Sequence, residues 1–121
     1  MPDVLVVEDE RVSRRAMTSL LISSGYHPAA YESAEQALED VDGSPPPVAL
    51  VDVDLPGMSG LDLIERLEKL RPDLRTVLIT AADGERIERF RRQHDVVYLR
   101  KPVDFPLLLE ILGQGSDQAH A

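Results

Sequence analysis

Four short apolar runs in this chain are each followed by residues fit for chemistry. Glu8 and Asp9 follow Val4-Leu5-Val6-Val7, and Asp52 follows Val48-Ala49-Leu50-Val51 with Asp54 close behind. Thr80 follows Thr76-Val77-Leu78-Ile79, and Arg100-Lys101-Pro102 follows Val96-Val97-Tyr98-Leu99. Clustered carboxylates repel one another where solvent is excluded. A hard, oxygen-seeking dication such as Mg²⁺ relieves that repulsion and keeps coordination positions open for water and phosphate oxygens. With such an ion in place, the carboxylate of Asp52 can act as nucleophile toward a phosphoryl donor while Lys101 supplies compensating positive charge. The product is an aspartyl phosphate, which brings negative charge and strong acceptor oxygens, and the Thr80 hydroxyl is the short-reach donor that meets them. Taken singly, each residue has a plainer role: Asp9 as a helix cap, Asp52 as a turn opener, Thr80 as a strand residue, Lys101 as a solvated charge. Taken together they do not, because capping and turn chemistry would not select acids on both central strands with a hydroxyl and a lysine on the neighbouring ones.

The elements that must position these groups follow from the spacing of apolar residues. The four runs are rich in β-branched residues, nearly unalternating and too short for helices, so they read as strands buried on both faces of a parallel sheet. A further short strand is expected over Pro28–Tyr31. Between the strands, Val12, Ala16 and Leu20 with Met17 and Leu21 mark a first helix that stops before Gly25. Ala34, Ala37, Leu38 and Val41 mark a second, opened by Ser33 with Gln36 as a capping box. Leu61, Ile64 and Leu67 make a third, Ile87 and Phe90 a weak and highly charged fourth over 85–93, and Phe105, Leu108, Leu109 and Leu112 a fifth. The alternation predicts an α/β, doubly wound (βα)5 domain with a parallel five-stranded sheet. In such sheets ligands bind beyond the carboxyl ends of the strands, where the acids, the hydroxyl and the lysine stand. Gly43-Ser44-Pro45-Pro46-Pro47 reads as a stiff connection, residues 1–113 as the domain, and 114–121 as a flexible tail without apolar residues to pack.

The totals set outer bounds. A chain of 121 residues with 43% hydrophobic and 29% charged positions suits one compact domain. It contains no cysteine, so disulfide and thiolate chemistry are excluded. A start of Met-Pro-Asp-Val-Leu-Val-Val-Glu-Asp-Glu lacks the basic segment and apolar run of a signal peptide, and no apolar stretch approaches the roughly 20 residues that span a bilayer. A cytoplasmic protein is therefore expected. A net charge of −9 argues against direct nucleic-acid binding, which relies on Lys and Arg against phosphates.

Over its whole folded length the chain resembles the receiver domains of bacterial two-component response regulators. The resemblance is carried by Val-Val-Glu-Asp-Glu at residues 6–10, Asp-Val-Asp-Leu-Pro-Gly-Met-Ser-Gly at 52–60, Leu-Ile-Thr80-Ala81, and Tyr98-Leu-Arg-Lys101-Pro102. It implies a flavodoxin-like strand order 2-1-3-4-5, and that Asp52 is the phosphoacceptor, charged by a histidine kinase or a histidine phosphotransfer protein. It also implies that Glu8, Asp9, Asp52 and the backbone carbonyl of Asp54 hold Mg²⁺, with Mn²⁺ as a substitute. Thr80, Ala81 and Lys101 would then receive the phosphoryl oxygens, Tyr98 would be the aromatic that switches rotamer, and the Lys101–Pro102 bond would be cis. Such a domain is a signalling phosphoacceptor and no enzyme on external substrates. Glu8 stands where aspartate is commoner in the family, and the side chains of Asp54 and Ala82 occupy positions that tune phosphate lifetime.

Two other readings compete. Asp52-Val-Asp54 also satisfies the Asp-x-Asp nucleophile motif of haloacid dehalogenase-like phosphatases, but that group carries its nucleophile on the first core strand, with far more chain to follow. A phosphorylation-independent adaptor would keep the fold and lose the switch, yet all five site positions are filled. Output is expected through a downstream protein partner or a homodimer on the face of the fourth helix, fifth strand and fifth helix, where Leu107, Leu108 and Leu109 exceed one buried stripe.

Overall fold

The computed structural model describes residues 2–81 and 84–120, and of 114–120 the backbone alone. The elements run β1 (Val4–Val7), α1 (Arg11–Ser23), β2 (Pro28–Tyr31), α2 (Ala34–Val41), β3 (Val48–Asp52), α3 (Gly60–Leu70), β4 (Arg75–Thr80), α4 (Glu85–Gln93), β5 (Val96–Arg100) and α5 (Phe105–His120). The strands form one parallel sheet of five in the order β2-β1-β3-β4-β5. The order reverses between β1 and β3, so the two acid-bearing strands lie side by side at the switch point, with Val7 paired to Val51.

Crossover helices on both faces explain why β1 shows no alternation: all four residues are buried. Alternate side chains enter separate cores. Leu5, Val7, Ala49, Val51 and Leu78 pack with Ala34 and Ala37 of α2, Leu61, Leu63, Ile64 and Leu67 of α3, and Ile87 and Phe90 of α4. Val4, Val6, Leu50, Val77 and Ile79 pack with Met17 and Leu21 of α1 and Leu108 and Leu112 of α5. Each such leucine or isoleucine contributes on the order of 2 kcal/mol by leaving water.

Several local features depart from the sequence reading. Val12 shares a helical stripe with Ala16 and Leu20 but is 75% exposed; Met17 and Leu21 carry the buried face of α1. Ser33 caps α2 by accepting from Gln36 N–H at 3.1 Å, while the Gln36 amide turns to Glu32 Oε1 at 3.2 Å, so the capping box is half formed. The backbone of α5 stays helical to His120, beyond Gly113, where the apolar spacing that marks the fifth helix ends. Pro45 and Pro46 of the stiff connection are buried. Among the described residues no helix is long and apolar enough to cross a membrane.

Candidate functional site

Strand ends build the site. β1 delivers Glu8, whose N–H continues the sheet by bonding Tyr31 O at 3.1 Å and whose side chain is only 1% exposed. Glu8 Oε2 accepts from Glu10 N–H at 3.2 Å. From α1, Arg14 Nη1 donates to Glu8 O at 2.9 Å and Asp9 O at 3.3 Å, fastening the turn that carries both acids. Asp9 itself is exposed.

Asp52 is the last residue of β3 and is 3% exposed. Both of its carboxylate oxygens are held: Asp54 N–H donates to Oδ1 at 2.8 Å and Lys101 Nζ to Oδ2 at 2.9 Å. Immediately after it the chain must pass a tight spot. A Cβ on Gly60 would lie 2.2 Å from Asp52 O, so only glycine lets α3 start against the end of β3. The loop between them is pinned at its neck by Val53 N–H to Ile79 O at 2.8 Å and Gly60 N–H to Val53 O at 3.1 Å.

Thr80 closes β4 at 1% exposure, and its carbonyl accepts from Lys101 N–H at 2.7 Å, bringing β5's exit to the same edge. The Lys101–Pro102 peptide is cis. Lys101 Nζ also lies 2.9 Å from Glu8 Oε1, in ion-pair range but out of alignment for a hydrogen bond. Burial acts to lower the lysine's pKa, and pairing with Asp52 and Glu8 outweighs it, so the ammonium is held above its usual range. Burial pushes the Glu8 carboxyl up to about 7, the Asp52 carboxylate adds to the rise, and Lys101 opposes it.

One carboxylate oxygen from each of Glu8, Asp9 and Asp52 lies within 4.8 Å of the others. An all-oxygen donor set with a buried Glu8 oxygen lacking an aligned donor fits a hard dication such as Mg²⁺. The Asp54 carboxylate points into solvent and stands outside this trio. Ala81, exposed, lines a cavity of about 490 Å³ with Glu8, Val12, Met17, Lys101 and Phe105, opening beside the acids. Tyr98 is half-buried, pairs in register with Leu78, and has the Arg91 guanidinium 5.0 Å from its ring centroid. Ala82 lies outside the described residues.

The structure therefore gathers Glu8, Asp9, Asp52 and Lys101 directly, with Thr80 on the adjoining strand end. Sequence reasoning missed Arg14, whose tie to two backbone carbonyls has no signal beyond a charge on a helix. It also missed Glu35, which accepts from Met58 N–H at 3.0 Å in the loop after Asp52.

A doubly wound α/β domain whose acids, lysine and hydroxyl meet past the carboxyl edge of the sheet is a flavodoxin-like domain with its polar groups at the place where such sheets bind ligands. Residues 4–113 match the response regulator receiver domain family, and the chain belongs to it. The family acts in two-component phosphorelay signalling. Among curated relatives, the chain is 36% identical over 109 residues to the cyclic di-GMP phosphodiesterase of Thermotoga maritima, a match covering 87% of this chain and 28% of that protein. Among solved structures, a CheY-like response regulator receiver domain protein of Methanospirillum hungatei is 27% identical, with a TM-score of 0.88 over 98% of this chain and 95% of that one. The response regulator TrrA of Thermotoga maritima, determined in complex with Mg²⁺–BeF, is 28% identical with a TM-score of 0.81 over 94% of this chain and 98% of that one. The chain spans 17–28% of the length of three curated relatives that it matches.

Proposed function

We propose that the domain of residues 1–113 accepts a phosphoryl group on Asp52 from a histidine kinase or histidine phosphotransfer protein and thereby switches its binding to a partner. The observation that carries this reading is the held, buried carboxylate of Asp52, fixed by Asp54 N–H at 2.8 Å and Lys101 Nζ at 2.9 Å beside two further acids. Glu8, Asp9, Asp52 and the Asp54 backbone carbonyl would hold Mg²⁺, or Mn²⁺ in its place. When bound, the ion screens carboxylate charge and polarises the phosphoryl oxygens. The chain's own groups do the rest. The Asp52 carboxylate attacks phosphorus and the donor's imidazole nitrogen leaves, so one P–N bond breaks as one P–O bond forms. Lys101 moves from a carboxylate partner to the transferred group's oxygens, and the Thr80 hydroxyl and the Ala81 backbone meet the remaining ones.

The switch rests on binding one of two conformations better once phosphorylated, with Thr80 drawn toward phosphate and Tyr98 changing rotamer in response. Partner binding or homodimerisation on the face of α4, β5 and α5 is supported by the exposed apolar side chains of Val97 and Leu107 there. A signalling role in the cytoplasm, without turnover of an external substrate or contact with nucleic acid or membrane, completes the reading. Intact-mass measurement after incubation with acetyl phosphate and Mg²⁺ tests it: a gain of one phosphoryl group in the wild type and none in Asp52→Asn is expected. A gain that survives Asp52→Asn overturns it.

A further inference from the structure

Glu35 has no part in the metal or phosphoryl chemistry, yet it reaches across 23 positions to the loop that follows Asp52. We propose that Glu35 is a positioning residue for the acceptor site: its carboxylate holds the β3–α3 loop in the shape that presents the Asp54 backbone to Asp52 and to the bound metal. This deepens the phosphoacceptor reading and rests on it.

Three observations converge. The loop's neck is closed by the two bonds at Val53, and Leu55, 8% exposed, plugs its base into the core. Past that point Met58 N–H donates to Glu35 Oε2 at 3.0 Å, tying the loop to a different helix. Gly57, at φ +74°, brings the backbone so close that a Cβ there would sit 2.7 Å from the same oxygen. The chain thus folds around the carboxylate on both sides of the Gly57–Met58 peptide. The anchor is rigid, because Glu35 stands in the first turn of α2, whose N-cap is formed by Ser33 and whose Ala34 and Ala37 are fully buried. An acid there is favoured by the helix dipole, and the Met58 N–H holds the Glu35 carboxyl below its ordinary pKa.

The consequence for the site is geometric. Asp54 N–H fixes the plane of the Asp52 carboxylate through Oδ1, and Asp54 lies only four residues before the Glu35 tie. Acceptor and metal chemistry tolerate displacements of only about 0.5 Å. A charge-assisted hydrogen bond, roughly twice as strong as a neutral one, resists such drift where solvent would not. On the far side, Arg86 Nη2 reaches Ser59 Oγ at 3.0 Å, but that contact holds the cap of α3 and leaves the Gly57–Met58 peptide untouched.

The test uses the full chain with Glu35→Ala, Glu35→Gln, Gly57→Ala and the Glu35→Ala/Gly57→Ala pair. Mg²⁺ affinity is read by calorimetry, phosphorylation by acetyl phosphate at saturating Mg²⁺ by intact mass, and folding by thermal unfolding. Glu35→Ala should weaken Mg²⁺ binding about fivefold and slow phosphorylation at saturation, with unfolding shifted by no more than ~3 °C. Glu35→Gln keeps an acceptor oxygen at the same reach and should recover to within about twofold of wild type. Gly57→Ala adds left-handed backbone strain at φ +74° to the displacement of the Glu35 carboxylate, so it should fall at least as far as Glu35→Ala, and the pair should be less severe than the two effects added, because the contact is lost only once. Mg²⁺ affinity and rate within about twofold of wild type in Glu35→Ala overturn the proposal. So does a parallel fall of Glu35→Ala and Glu35→Gln that merely tracks thermal stability. A wild type that binds Mg²⁺ yet gains no phosphoryl mass defeats the phosphoacceptor reading alone, and the Mg²⁺ measurements still decide the role of Glu35.

Discussion

Lys101 Nζ lies 2.9 Å from Glu8 Oε1, the same distance it keeps from Asp52 Oδ2, so one cation bridges the acids at the ends of two neighbouring strands. Removing it leaves two nearly buried carboxylates without their counter-ion. Lys101→Ala should lower metal-free stability by roughly 2–4 kcal/mol in urea unfolding, with part of the loss recovered by Mg²⁺. Equal losses with and without Mg²⁺ would contradict a shared charge role.

Glu8 sets a pH dependence. Its folded-state pKa is raised from 4.5 to about 7, so its contribution to stability is complete below pH 4.5 and is lost as pH rises through about 7. Metal-free protein should therefore lose on the order of 1–3 kcal/mol across that window, and Glu8→Gln should flatten the curve. Mg²⁺ must displace the proton, so calorimetry near neutral pH in buffers of different ionisation enthalpy should detect proton release on metal binding.

Gly60 packs against the end of β3 at Asp52. Gly60→Ala should destabilise the domain by about 1–3 kcal/mol, because its Cβ meets the backbone carbonyl of Asp52, which has no room to withdraw. Phosphorylation by acetyl phosphate should fall more steeply than the unfolded fraction explains.

Thr80 and Lys101 should separate chemistry from response. Thr80→Ala should still gain phosphoryl mass while its BeF-induced amide shift changes around Tyr98 shrink, whereas Lys101→Ala should impair the coupling more severely. The opposite ranking would reverse their assigned roles.

That Asp52, Thr80 and Lys101 share one edge was legible because it follows from two local facts: strands of β-branched residues end where polar residues begin, and parallel sheets put all those ends on one side. Asp52, Thr80 and Lys101 needed nothing further. Glu35 was illegible for the opposite reason, since its tie to Met58 depends on how α2 crosses over β3, and no spacing encodes that. Val12 belongs to the helix that the spacing marks, but its exposure was not legible, because helical periodicity assigns a face and not where that face runs out: the first turn of α1 borders an open cavity. The continuation of α5 past Gly113 rests on backbone hydrogen bonds along the helix, which apolar spacing does not report.

The sheet also acts as a partition. Among the described residues no side chain belongs to both cores, with Leu50 serving the α1 and α5 side and its neighbour Val51 the α2 to α4 side. Lineages can therefore rewrite the surface of α1 and α5 around the cavity without disturbing the packing beneath α3 and α4. Divergence in one core and divergence in the other can proceed as separate histories on a single scaffold.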